Sequence, residues 1–343
     1  MRANYLILAR AAVMFSAAAP QAKPRIAFDL VTEKGFPITG AQQWQKVLGE
    51  LGVSDLRIHS ASGGEEIAVE NQGTEQAPSY KVTGILKSDN LLHLPGRKKF
   101  STRDVGAIRK WMAELADQGV AGVTQAKSAF GLLPKQLEAV HDDLKTLVTA
   151  STAGQPAAEV VETIGRKLSA PLVFDRAAGL ALAEVTVSDE LSGVSSGTAL
   201  AAVLRPAGLV LQPMRPSGGE LQYRVGPPVE GHEAWPVGWK SDQPARVILP
   251  ALYELINVEI KDADLPTVLE SIKERLAVHF LFDYNALALH KIDLAKVTVT
   301  VPGKRLSYSQ ILQKALLQAK LKFELRLDEA GKPLFWISTI RPA

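Results

Sequence analysis

The sequence predicts an α+β protein of three small α/β modules, the last two being tandem βαββαββ repeats. Two observations carry that prediction. Residues 144–175 align without gaps on residues 252–283, and residues 185–225 align on 297–337 after a four-residue insertion. Within the first block, VVETIGRKLSAPLVFD from Val160 and VLESIKERLAVHFLFD from Val268 share Val, Glu, Ile, Leu, Phe and Asp in register. Self-similarity of this kind identifies one supersecondary unit used twice. The second observation is length. A chain of 343 residues with 46% apolar content exceeds one ordinary core and suits two or three domains.

The first module spans residues 26–143. Trp44, Leu48 and Leu51 lie at helical spacing, and Gly52 suits a left-handed cap. Residues 55–59 read as a short strand, 60–66 as a Gly-rich turn, 80–86 as an alternating strand and 94–97 as a turn. Ser101-x-x-Asp104 opens a second helix as a capping box. Val105, Ile108, Met112 and Leu115 form its buried stripe, and Gly119 ends it.

The repeats, residues 144–226 and 251–340, are read by superposing them. Each begins with a strand, 146–152 or 254–261. In the second copy Ile256, Val258 and Ile260 alternate cleanly with Leu255, Asn257 and Glu259. A helix follows with Pro156 or Pro266 in its first turn, where a missing N–H costs nothing. Its stripe is Val160, Val161, Ile164 and Leu168, or Leu265, Val268, Leu269, Ile272 and Leu276. A buried strand ending at Asp175 or Asp283 comes next, then a loop and a further strand. The second helix carries Leu200, Val203 and Leu204, or Leu312, Ala315 and Leu316. Ser307-x-x-Gln310 forms a capping box in the later copy. A hairpin closes each repeat, turning at Ser217-Gly218-Gly219 or over 328–331. Between the copies, residues 227–250 form a linker whose Pro- and Gly-rich start is semi-rigid.

The extreme N-terminus reads as an export signal over residues 1–22: Arg2 and Arg10, an apolar stretch at 11–19, and small residues before Pro20. No later stretch approaches the roughly 20 apolar residues of a membrane span. A net charge of +3 and a single tight basic cluster, Arg97-Lys98-Lys99, argue against a nucleic-acid partner. Zero cysteines exclude disulfides, thiol chemistry and a lipid-anchored N-terminal Cys. A periplasmic or secreted location is expected.

The repeats resemble the secretin and TonB short N-terminal domain, the STN or N0-like module. The residues carrying the resemblance are Leu265-Pro266-Thr267-Val268-Leu269, Asp283, Val297-Thr298-Val299, Ala315-Leu316 and Leu321-Lys322-Phe323. In the first copy they are Val160-Val161, Asp175, Val185-Thr186-Val187, Ala199-Leu200 and Ala207-Gly208-Leu209. The resemblance covers about half the chain and is a pattern of apolar positions. Family members commonly place Gly after each helix; here Ala170, Val278 and Lys320 stand there, and only Gly208 fits. The resemblance implies a periplasmic interaction module, without the pore or transporter role of relatives that carry an outer-membrane barrel.

Candidate chemistry is sparse. Gly193-Val194-Ser195-Ser196-Gly197 fits the G-x-S-x-G elbow that exposes a nucleophilic serine, but a small-residue helix start capped by Thr198 or Ser196 explains it equally. The six histidines show no paired metal spacing, and His141-Asp142-Asp143 reads as a solvated helix face. No catalytic, metal or cofactor residue is assigned. Trp235 and Trp239, beside His232 and Glu233, are the candidate partner-binding residues; the alternative is that they staple the linker onto a repeat. The expected role is a non-enzymatic adaptor for an envelope protein partner, using sheet edges and linker aromatics. An envelope hydrolase or glycan-binding protein, with its site at a domain junction, is the competing expectation.

Overall fold

The computed structural model describes residues 24–74 and 77–341, so the export signal expected at residues 1–22 lies outside the described residues. Both helices and strands occur throughout, in two compact units, Met1–Ala126 and Lys127–Ala343.

The first unit carries a six-stranded sheet. Strand β1 (Arg25–Thr32), which periodicity did not reveal, lies inside it, between β2 and β4. It pairs in parallel with β2 (Asp55–Ser60) and β4 (Ser79–Leu86). Short strands β3 (Ala68–Asn71), β5 (Leu92–Leu94) and β6 (Lys98–Phe100) complete the sheet through antiparallel pairs. Helix α1 (Ile38–Glu50) contributes Trp44 and Leu48 to the core, and Gly52 takes the expected left-handed φ of 84° just beyond it. Helix α2 (Val105–Thr124) adds Ile108, Trp111 and Leu115. Ser101 N and Oγ donate to Asp104 Oδ2 at 2.7 and 2.8 Å, but the helix begins at Val105 with Asp104 at its N-cap, so the pair closes the preceding turn and the expected capping box does not form. Gly119 breaks α2 rather than ending it: at φ 65° it turns the axis, and the helix resumes to Thr124.

In the second unit the elements are α3 (Pro134–Leu144), α4 (Ala157–Gly165), β7 (Leu172–Phe174), α5 (Ala178–Ala183), α6 (Ser196–Leu204), β8 (Val210–Met214) and β9 (Gln222–Gly226). They continue with α7 (Ala245–Ile248), β10 (Leu255–Asp264), α8 (Leu265–Leu276), β11 (His279–Phe282), α9 (Tyr284–Leu289), β12 (Thr298–Ser307), α10 (Tyr308–Gln318), β13 (Leu321–Leu327) and β14 (Pro333–Thr339). Helices α5 and α9 stand where loops were expected.

Strand order β7-β9-β8 in the first copy recurs as β11-β14-β13 in the second. In each, the first pair is parallel and the second antiparallel, at aligned residues: Leu172↔Tyr223 with Phe280↔Phe335, and Pro213↔Tyr223 with Leu325↔Phe335. The remaining strands differ. In the second copy β10 and β12 form an antiparallel ribbon from Leu255↔Ser307 to Asp264↔Thr298, with register shifts between Val258 and Ile260 and between Ile260 and Ala263. In the first copy only the two end pairs survive, as isolated bridges Leu147↔Ser195 and Pro156↔Thr186. The strand expected over residues 146–152 is therefore absent. The chain there is short of apolar alternation, and Glu190 and its neighbours claim its polar groups. Ser151 Oγ donates to Glu190 at 2.5 Å, and Thr152 Oγ1 donates to Asp189 O at 2.8 Å.

The two copies share one packed body. Along β14, Phe335 and Ile337 face the core of the second copy, while Leu334 and Trp336 join Ala199, Leu200 and Val203 in the core of the first. The second copy's sheet is thus buried on both faces. Helix α6 is buried all round, as its sequence SGTALAAVL allows. Gly197 is required by that packing: a Cβ there would lie 2.7 Å from Trp235 Nε1 and 2.8 Å from Glu329 Oε1. Helix α3, expected in the first module with a boundary at residue 143, instead contributes Val140 and Leu144 to this core.

Candidate functional site

Ser195 occupies no exposed elbow. It is fully buried at the N-cap of α6, and that helix start is capped from more than a hundred residues away by the β13–β14 turn. Asp328 Oδ2 accepts from Ser195 N at 3.0 Å. Glu329 accepts from Thr198 N at 3.1 Å and from Thr198 Oγ1. Ser195 Oγ in turn accepts from Ala330 N at 3.1 Å. Negative side chains on the free N–H groups of a helix start satisfy both hydrogen bonding and the helix dipole. The capping expected of Ser196 or Thr198 is thus supplied by the other copy, and the G-x-S-x-G pattern is explained by close approach rather than nucleophile chemistry.

The same turn anchors the linker. Trp235 is only 3% exposed. Its Nε1 donates to Glu329 Oε1 at 2.6 Å, and Trp239 Nε1 donates to the same oxygen at 3.3 Å. The two indoles meet edge to face at 5.0 Å, and Phe130 stacks on Trp235 at 5.3 Å. Trp235 N donates to Leu211 O on β8, while Trp239 and Leu327 exchange both backbone bonds at 2.7 and 2.9 Å. The candidate partner-binding tryptophans therefore join the copies to one another, and Trp235 offers no free surface. Burial raises the pKa of Glu329 against the lowering effect of its donors.

His141-Asp142-Asp143 is not a solvated face. The His141 ring packs on Trp235 and Trp239 at 4.9 and 5.1 Å. Asp143 accepts from Ser169 N, Ala170 N and Tyr223 Oη. Asp142 is the exposed member, paired with Lys145, while His141 and Asp143 are half-buried. Among the described residues no cluster of three His, Cys, Asp or Glu side chains could hold a metal ion.

Two more carboxylates lock the copies together. Asp283, 5% exposed, accepts from Arg205 Nε at 3.0 Å and Nη2 at 2.9 Å. Asp189 accepts from Tyr284 Oη at 2.6 Å and from Phe282 N at 3.3 Å. Burial pushes the Asp189 carboxyl up to about 6, over the opposing effects of those bonds and of Lys273. Burial likewise raises the Tyr284 phenol.

These contacts also engage strand edges in the second copy, at one residue of each strand. Phe282 N on β11 goes to Asp189, Leu327 on β13 pairs with Trp239, and the Gln318 amide engages both the N–H and C=O of Thr300 on β12 at 3.1 Å. Strand β10 is treated differently. Among the described residues, no group outside its own ribbon bonds to residues 255–261, whose one ion pair is internal, Glu259 with Lys261. Beside it lies a groove of about 600 Å³ between the ribbon and α8. Ile256, Val258, Ile260, Val268 and Ile272 give it apolar walls, with Arg275 and Lys261 on its polar boundary. The first copy has its counterpart at aligned residues Val148, Ala150, Thr152, Val160 and Ile164, reduced to about 180 Å³ where the ribbon is missing. Sequence reading placed Ile256, Val258 and Ile260 on one face, but nothing local revealed that the other edges would be covered.

Among the described residues no helix is long and apolar enough to cross a membrane. Comparison with family models, curated proteins and solved structures gives no match for this chain.

Proposed function

We propose that this chain is a non-enzymatic, exported adaptor whose two tandem STN-like modules serve protein–protein interaction in the cell envelope. The observation that carries the reading is the unequal treatment of strand edges in the second module. Side chains or backbone from the same chain engage β11, β12 and β13, and β10 is left open along an apolar groove. An uncovered edge is a ready template for a further strand. Kinship to STN modules draws support from the strand order of the second copy, a two-stranded ribbon and a three-stranded sheet packed about α8 and α10. The binding surface assigned is β10 and α8, in place of Trp235 and Trp239.

The test is site-specific photocross-linking in the producing cell's envelope. A photoreactive residue at Ser271, which lines the groove, or at Asn257, exposed on β10, should yield one discrete adduct with an envelope protein. The same residue at Lys322, on β13, should yield none. Equal labelling from all three positions, or none from any, would remove the adaptor reading.

A further inference from the structure

We infer that the β10–α8 groove takes an extended, acidic segment of its partner, added as a strand to β10, and that the first copy's groove does not. The inference rests on the adaptor reading and names the occupant. Three features determine that occupant. First, the free groups along β10 are backbone N–H and C=O, which an extended chain satisfies and a helix, whose own backbone is already paired, does not. Second, the groove wall presents Ile256, Val258 and Ile260 from alternate positions of one strand, so an added strand offers its own apolar side chains every second residue. Third, the charge at the boundary is unbalanced. Lys261 is neutralised by Glu259 at 2.9 Å, but Arg275 is exposed on the last turn of α8 and, among the described residues, has no carboxylate partner. An acidic side chain of the added strand supplies that partner by a charge-assisted bond.

Selectivity between the copies follows from the same geometry. In the first copy the strand is reduced to single bridges at Leu147 and Pro156, and Ser151 and Thr152 are bonded to Glu190, so no continuous edge remains. Thr163 stands where the second copy has Ser271. Of the other edges open in this unit, β7 with its exposed Val173 and Phe174 is three residues long, and β13 is held from outside at Leu327; neither borders the β10–α8 groove.

The experiment uses the full chain displayed against a library of random decapeptides. Wild type should enrich peptides with apolar residues at alternate positions and Asp or Glu at one fixed place. Ser271→Trp, which fills the groove from an exposed helix position without touching the core, should lower binding of the best enriched peptide at least tenfold, whereas Thr163→Trp should leave it unchanged. Arg275→Glu should lower it about tenfold, as expected for a lost charged hydrogen bond, and reselection on that variant should replace the acidic residue by Lys or Arg. Enrichment of peptides with helical periodicity, equal loss from Thr163→Trp, or an unchanged charge preference in Arg275→Glu would each overturn the inference. A cross-linked partner attached through a helical segment would do so while leaving the adaptor reading intact.

Discussion

Replacing Asp189 by Asn should change how stability depends on pH more than it changes stability itself. Asp189 is half-buried where the copies meet, with Tyr284 Oη at 2.6 Å and Phe282 N at 3.3 Å, and its carboxyl is held at about 6, against 3.8 for the free group. The folded state therefore binds this proton more tightly than the unfolded state. A group raised in this way contributes fully below the unfolded value, and its contribution is lost as pH rises through the folded one. A displacement of about two units corresponds to roughly 3 kcal/mol, and about 2 kcal/mol of it is lost between pH 4.5 and 7.5. Asparagine cannot titrate, so the variant escapes that loss. Whatever Asn costs through its altered bond to Phe282 N is the same at both pH values and cancels in the double difference. The assay is urea unfolding followed by tryptophan fluorescence for both proteins at pH 4.5 and 7.5. Relative to wild type, Asp189→Asn should gain about 2 kcal/mol on going to the higher pH. A double difference within about 0.5 kcal/mol of zero would refute the assignment of a raised carboxyl at this position.

Three further outcomes are expected. Asp328→Ala removes the acceptor of Ser195 N, Ala330 N and Lys332 N, of which Ser195 N is buried; urea unfolding should show a loss of about 2–3 kcal/mol. Arg205→Met strands the buried Asp283 carboxylate and should cost about 2 kcal/mol, discounted because Arg205 is itself 45% exposed; adding Asp283→Asn should recover part of that loss, and a strictly additive double mutant would contradict the pairing. Lys320→Gly should stabilise the protein by about 0.5–1 kcal/mol by denaturant midpoint. Lys320 holds φ at 58°, where the aligned Gly208 of the first copy sits at 70°.

Much of the fold was legible because its signals are local. The register of the duplication located the aligned pairs of both three-stranded sheets, and the Ser307–Gln310 box forms with bonds of 3.0 and 3.3 Å. Gly52 and Gly208 take the left-handed backbone expected after helices. What failed was set by long-range contacts. Asp328 and Glu329 read as an ordinary hairpin turn, and nothing near them in sequence says that they cap α6. His141-Asp142-Asp143 reads as polar surface because its indole, backbone and phenol partners arrive from distant segments. One signal was available: α6 is apolar and small on every side, and such a helix must be covered all round. That would have shown that the copies pack on one another and favoured the stapling alternative for Trp235 and Trp239.

The two halves diverged in complementary ways, and the divergence bears on function. Copy one lacks the ribbon and is a helix-centred body: α6 is enclosed, and its start depends on Asp328 and Glu329 of copy two. Copy two kept the ribbon but needs no such enclosure. Its helix α10 caps itself through Ser307 and Gln310, buries Ile311, Leu312, Ala315 and Leu316, and leaves Leu317 in solvent. A ribbon serving only to cover the core of copy two could be engaged at its edge as β11, β12 and β13 are at Phe282, Thr300 and Leu327, since open edges invite unwanted pairing. Instead β10 runs for ten residues beside the larger of two aligned grooves. Charge along it, with Glu259 and Lys261 pointing outward, discourages indiscriminate association of copies while leaving the backbone accessible. A surface guarded against itself yet with its backbone accessible is what the proposed adaptor role requires.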